Sequence, residues 1–285
     1  MDKIIKTADG TETLFNEEYG EAYHSTKAGA YTESIHKFVK PCKIEELAKT
    51  KGYINILDVG FGLGYNVAVA IERAIASNLS VKLNIVSIEK DKSVLDKIKS
   101  IKIDDRVKDI YQRLLTGETL KDKVGDKSFA TYQVKDKNFN LTIIFGEGRE
   151  IIKSLIKENI KFDAVFFDPF SPKANTEMWT VNLFKLIKKL ITEEGILATY
   201  SASLAVRKGL IEAGFNIGLV EPVGRKSYST VASLKGDIPP LIEKERIRLE
   251  NSPYSLPYYD NEELNLSAKD IKLNWERELE KRLKG

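Results

Sequence analysis

The 285-residue sequence holds a single cysteine, Cys42, and two histidines, His24 and His36. One thiol excludes a disulfide framework, and so few nitrogen and sulfur ligands argue against a structural zinc site, so no metal is expected. No run of about 18 apolar residues occurs, which argues against a transmembrane helix. The opening segment, MDKIIKTADG, lacks the apolar stretch and cleavage site of a secretory leader. A cytoplasmic protein with no membrane partner is expected, and a monomer is the default. The net charge of +3 and pI near 8.6 permit a nucleic-acid partner without demanding one.

What is present is organised around residues 54–66, INILDVGFGLGYN. An apolar run ends at Asp58, glycines follow at 60, 62 and 64, and an apolar helix-compatible stretch comes next. That order reads as strand, tight turn and helix, the start of a βαβ unit. The spacing D-x-G-x-G-x-G differs from the dinucleotide fingerprint G-x-G-x-x-G, in which backbone amides meet a pyrophosphate. Here an acid stands at the strand end. A ligand with a cationic centre and an amino-acid moiety suits it better, and S-adenosylmethionine (SAM) is such a ligand.

Beyond this turn, strands and helices alternate. Strands are expected over 54–59, 81–88, 162–167, 195–201, 216–220 and 228–233, with a hairpin over 129–135 and 140–145. Helices are expected to about 77, to about 115, and over 149–158, 177–192 and 204–213. The pattern predicts a doubly wound α/β sheet, largely parallel, with ligands bound beyond the carboxyl ends of the strands. Residues 1–50 show no strong strand and one helix over 35–39. They read as a cap or substrate lid carrying Tyr19, Tyr23 and His24. Residues 51–235 form the core, and 236–285 an extension ending in a charged helix over 267–284.

The informative acids lie at strand ends. Glu89 ends the second strand, where a carboxylate can accept two hydrogen bonds from a ribose diol. Glu147, between Gly146 and Gly148, can accept from an exocyclic amine while the glycines leave room for a purine. Asp168-Pro169-Phe170-Ser171-Pro172 follows a buried strand, and its two prolines stiffen the loop. This loop resembles the D/N-P-P-Y/F loop of methyltransferases acting on exocyclic amines, where the polar residue orients the amine and the aromatic ring stacks on the base.

Several segments in order, TLFNEEYGEAYHSTKAGAYTESIHKFV, LDVGFGLGYN, DPFSPKANTEMWT, LATYSASLAVRKGLIEAGF and GRKS, resemble the methyltransferase half of the bifunctional tRNA-modification protein MnmC. The resemblance covers about residues 11–233. It implies a class I SAM-dependent methyltransferase fold and methylation of the 5-aminomethyl group of the wobble (2-thio)uridine in tRNA. It implies that Gly60, Phe61, Gly62, Gly64 and Asn66 line the SAM site with Asp58, Glu89, Glu147, Gly148 and Asp168. Asp168 and Phe170 would face the aminomethyl uracil as the catalytic pair. Ser171, Tyr23, His24, Arg207, Arg225 and Lys226 would contact substrate, with Trp179 bracing the loop from the core. Nothing here matches the FAD-dependent half of MnmC, so a stand-alone methyltransferase is expected. Leu63 and Tyr65 stand where the family usually has threonine and leucine. The competing readings are an aminopropyltransferase of spermidine-synthase type and an inactive methyltransferase-fold RNA-binding protein.

Overall fold

The computed structural model describes residues 3–284. The chain opens with three short strands, β1 (Lys3–Lys6), β2 (Glu12–Asn16) and β3 (Glu21–Ala22), paired antiparallel into a small sheet. No strong strand was expected before residue 50, and these three are short. The strands are too short to display a clear alternation, and their order comes from pairing with each other. Helix α1 (Ala30–Ser34) runs on as a π-helical turn, Ile35–Val39, and α2 (Ile44–Lys51), not expected, leads to the core.

The core alternates as β4 (Tyr53–Val59), α3 (Tyr65–Ser77), β5 (Lys82–Glu89), α4 (Val94–Lys99), α5 (Lys108–Leu114), β6 (Glu118–Val124), β7 (Lys127–Lys135), β8 (Phe139–Phe145), α6 (Gly148–Ile156) and β9 (Phe162–Phe167). It continues with α7 (Val181–Lys188), β10 (Ile191–Thr199), α8 (Leu204–Glu212), β11 (Asn216–Val220) and β12 (Ser229–Ser233). Nine strands make one sheet in the order β11-β12-β10-β9-β4-β5-β8-β7-β6. The five central strands, β10 to β8 in that order, are parallel, and the flanking strands pair antiparallel. Because β4 has β5 on one side and β9 on the other, the chain diverges between β4 and β9, which is the topological switch point.

Period-2 alternation divides the core. Ile56, Ala164 and Phe166 face one apolar layer with α2 and α3, whereas Leu57, Val165 and Phe167 face the other with α6, α7 and α8. Every residue of β9 is buried, as expected of a parallel strand covered on both faces. Each such large apolar side chain contributes about 1.5–3 kcal/mol by leaving water.

Two expected elements are corrected. The single helix over 177–192 is divided, because Thr180 turns extended (φ −89°, ψ 151°) and caps α7, its Oγ1 accepting from Leu183 N at 3.3 Å. A 3₁₀ turn, Thr176–Trp179, precedes it, and β10 begins at Ile191 rather than 195. The strand β6 was not expected, since its sequence ETLKDKV reads as a charged surface stretch. It is the exposed sheet edge, where charged residues discourage further pairing.

After the core come α9 (Glu243–Asn251) and α10 (Ala268–Lys284). Trp275 Nε1 donates to Leu256 O at 2.6 Å, and the buried Asp260 accepts from Arg149 Nη1 at 2.7 Å, tying this extension to α6. No described helix is long and apolar enough to cross a membrane.

Arg207, expected to contact substrate, is instead 1% exposed beneath α9. Its guanidinium donates to Glu245 Oε2 at 2.5 Å, Thr230 Oγ1 at 3.0 Å and Tyr228 O at 2.9 Å. It braces the extension onto β12. Removing one partner of a buried ion pair costs about 3–5 kcal/mol, so Arg207→Met should lower the urea unfolding midpoint sharply. Adding Glu245→Leu should restore part of the loss. A single variant as stable as the parent would contradict this role.

Candidate active site

The turn after β4 is built by glycines in the left-handed region, with φ of +93° at Gly60, +52° at Gly62 and +78° at Gly64. Gly60 N and Phe61 N both donate to Ile88 O. A Cβ at Gly60 would lie 2.7 Å from the Asp168 carbonyl oxygen, and one at Gly62 would lie 3.0 Å from the Tyr23 ring. These glycines therefore admit protein as well as ligand: the two loops of the switch point touch at Gly60, and the N-terminal cap closes onto Gly62. Gly60, Phe61 and Gly62 line a cleft of about 1350 Å³, whereas Gly64 only starts α3.

Glu89 lines the same cleft. Its carboxylate accepts from Gly62 N (2.8 Å), Lys90 N (2.7 Å) and Asp91 N (2.8 Å). Burial pushes its pKa up, against the pull of these N–H groups. Of its roughly four acceptor positions, about one is left, fewer than the two expected for a diol. Glu147 lines the cleft and also caps α6: Oε2 accepts from Glu150 N at 3.0 Å and Oε1 from Arg149 Nε at 2.9 Å. Gly148 leaves the space that Met178 fills, since a Cβ there would meet Met178 Cε at 2.7 Å, and Met178 forms an apolar wall of the cleft.

Two expected ligand contacts lie beneath the surface. Asp58 is 1% exposed and outside the cleft wall. Ser87 Oγ donates to its Oδ2 at 2.8 Å, and Oδ1 has no partner. Asn66 is buried too, and it is a positioning residue: Nδ2 donates to Asp168 Oδ2 at 2.7 Å, while its Oδ1 accepts from Ser34 Oγ at 2.7 Å.

Asp168 faces the cleft from the end of β9. Burial first, then the charge of Glu33, holds its carboxyl well above the ordinary range, against the Asn66 hydrogen bond. The loop behind it is anchored throughout. Tyr200 Oη donates to Pro169 O at 3.0 Å, and Trp179 Nε1 donates to Phe170 O at 2.9 Å. Ser171 donates through both N and Oγ to the Glu21 carboxylate. Trp179 is thus the expected core brace, and Ser171 holds the cap rather than the cleft. The Phe170 ring, expected to offer an open stacking face, is stacked on Tyr19 with centroids 4.3 Å apart and planes at 16°, and Tyr23 leans on it at 5.4 Å.

Tyr23 lines the cleft with its hydroxyl accepting from Lys97 Nζ and Asn16 Nδ2, both at 3.1 Å. His24 is buried in the same wall. Arg225 also lines the cleft, but its guanidinium is committed to Tyr200 O, Ser227 O and Ser229 Oγ. Lys226 is exposed and outside the cleft wall. Sequence reasoning missed Glu21, Glu33, Lys37 and Tyr200 as wall residues. Only the i, i+4 spacing of Glu33 and Lys37 on a helix signalled a pair.

Residues 107–235 match a family described as S-adenosyl-L-methionine-dependent methyltransferases. The crystal structure of MnmC2 from Aquifex aeolicus superposes with a TM-score of 0.86 at 38% identity, covering 99% of this chain and 86% of that one. The chain belongs to the MnmC2 family. It is a SAM-dependent methyltransferase. An uncharacterized protein of Methanocaldococcus jannaschii is 31% identical over 272 residues, 94% of this chain and 70% of that protein. The tRNA 5-methylaminomethyl-2-thiouridine biosynthesis bifunctional protein MnmC of Burkholderia thailandensis is 29% identical over 261 residues, covering 89% of this chain but 37% of that longer protein.

The cleft of this MnmC2 relative fits SAM on its own chemistry. Side-chain-free backbone lines the cleft at Gly60 and Gly62, Glu89 supplies an acceptor at the strand end, and Asp168 sets a carboxyl in the wall where a sulfonium cation can lie. Among the described residues no group of His, Cys, Asp and Glu is arranged to hold a metal ion.

Burial, with the charge of Glu89 adding, pushes the Asp58 carboxyl up to about 8 against the Ser87 hydrogen bond. The unfolded chain releases that proton near 3.8. The folded state thus holds the extra proton between those values, and stability falls as pH rises from about 4 to about 8. Asp58→Asn keeps an acceptor for Ser87 and should flatten the fall in unfolding midpoint across that window. An undiminished slope would contradict the buried-acid assignment.

Proposed function

We propose that this methyltransferase acts on the 5-aminomethyl group of the wobble uridine of tRNA, giving 5-methylaminomethyl uridine. The observation that carries the reading is Asp168, a desolvated carboxyl set at the switch point in a loop anchored on every side, with aromatic rings beside it. The printed names of the Burkholderia relatives, which concern 5-methylaminomethyl-2-thiouridine in tRNA, support the substrate.

SAM, when bound, would supply the methyl group from its electrophilic sulfonium, the S–CH3 bond breaking to leave a neutral thioether. The chain must present a neutral amine to it. A primary amine has a pKa near ~10, so neutralising it at pH 7 costs about 4 kcal/mol. Once a bound cation has displaced its own proton, the Asp168 carboxylate is free to take the ammonium proton, leaving the amine lone pair to form the new N–C bond. Asn66 fixes the carboxylate so that the amine is held in line. Glu89 takes a ribose hydroxyl with its remaining acceptor position. Gly146, Gly148 and Met178 would bound the adenine, and Glu147, which keeps acceptor positions beyond its α6 cap, would take the exocyclic amine. The uracil would stack on Phe170 in the place that the Tyr19 ring now takes, Tyr19 lying in the turn between β2 and β3. The exposed Lys27 and Lys92 at the cleft mouth, with Lys226 nearby in the fold's loop after β11, supply charge for phosphates.

The test is incubation with labelled SAM and bulk tRNA from a strain lacking wobble-uridine methylation, followed by nucleoside mass spectrometry. Label in 5-methylaminomethyl uridine is expected, and Asp168→Ala should lower kcat by about 10²–10⁴-fold while SAM still binds. SAM binding with no label in tRNA would refute the substrate, and label transferred to polyamines would favour a different amine acceptor.

A further inference from the structure

His24 is 6% exposed in the cleft wall, and neither Nδ1 nor Nε2 has a hydrogen-bond partner. Its Nδ1 lies 3.8 Å from Glu33 Oε2, beyond hydrogen-bond reach. A neutral imidazole carries one N–H and an imidazolium two, so at least one donor is unclaimed. Buried polar atoms in native proteins are nearly always paired. One that faces a cleft and lacks a protein partner is placed to meet a ligand.

The groups behind it sharpen the chemistry. Glu33 Oε2 accepts from Ser25 N at 2.7 Å, and Oε1 accepts from Lys37 Nζ. The Lys37 side chain is 3% exposed, and Glu33 is its one acceptor among the described residues. An ammonium has three N–H donors, so two remain. Burial opposes ionisation of Glu33, yet His24 and Lys37 hold it at about 2. Its charge is therefore answered by Lys37, and the cluster presents surplus donors to the cleft. A buried surplus of N–H donors calls for an anionic oxygen.

The position of the cluster narrows the choice of anion. Ser34, the neighbour of Glu33, donates to Asn66, which donates to Asp168. The cluster thus backs the Asp168 end of the cleft, whereas Glu89 stands at the end of β5. SAM is a linear molecule with the sulfonium between adenosine and an amino acid. With its ribose at Glu89 and its sulfonium near Asp168, the amino-acid end reaches the cluster. We propose that His24 and Lys37, braced by Glu33, form the subsite for the α-carboxylate of SAM. The inference rests on the SAM-dependent reading of the cleft.

A phosphate of the RNA is the other anion that such donors could take, and binding measurements separate the two sources. The probes are SAM and 5′-methylthioadenosine, which keeps the adenosine and thioether but lacks the amino-acid end. Lys37→Met alone strands a buried Glu33, so the informative variants are His24→Phe and the double variant Glu33→Gln/Lys37→Met. By calorimetry each should weaken SAM about 10–100-fold, the effect of losing a hydrogen bond to a charged group. Their affinity for 5′-methylthioadenosine should be unchanged, while Glu89→Ala should weaken both probes. Equal losses for both probes, or no loss for SAM, would overturn the subsite. So would a loss seen only in tRNA binding, which would assign the donors to phosphate. If the unaltered protein bound 5′-methylthioadenosine and SAM not at all, the cofactor reading itself would fail, a result distinct from these.

Discussion

Asp168 hangs at the end of β9 on one side-chain hydrogen bond, from Asn66, in surroundings dry enough to resist its ionisation. Much of the structure around it keeps that arrangement. Asn66 is fixed by Ser34, which belongs to the helix that also carries Glu33 and Lys37. The backbone of Asp168 is held by its N–H to Val59 O at 2.9 Å, which ties the β9 loop to the end of β4. A carboxyl set this way holds a proton more tightly than one in water, and a cation brought beside it lowers that affinity again. The site is therefore electrostatically poised for a cationic ligand rather than filled with fixed charge.

Close packing adds the second constraint. A side chain at Gly60 would collide with the Asp168 carbonyl, and one at Gly62 would crowd Tyr23. Small residues at the switch point thus serve to draw three parts of the chain together: the β4 turn, the β9 loop and the N-terminal cap. The Glu21–Ser171 pair and the Tyr19–Phe170 stack lock that cap over the cleft. A base that stacks on Phe170 must replace Tyr19, exchanging one aromatic contact for another of similar strength.

The central strands were legible because β4, β5 and β9 are covered on both faces and read as apolar runs. Their ends were legible because acids stand there. The roles of those acids were less so. Asp58 and Glu89 both follow apolar strands, yet one lies under the floor and the other in the wall. That difference depends on the turn geometry of the glycines, not on local composition. Glu147 stands in the cleft wall as expected, but its second role, capping α6 through Glu150 N, depends on the helix that starts at the next residue. Arg207 looked like an RNA contact, but its partner Glu245 lies in an extension whose packing no local pattern encodes. The β1–β3 sheet and the β6 edge were missed for a related reason: short or charged strands gain their order from the neighbours they pair with.

The most direct test of the poised carboxyl is proton linkage. SAM binding is measured by calorimetry in buffers of different ionisation enthalpy, at several pH values across the range in which the protein stays folded. Binding of the sulfonium cation should release a proton from the site, and the release should vanish in Asp168→Asn. Binding with no buffer dependence, or with the same release in the variant, would contradict the claim that a desolvated Asp168 governs the site.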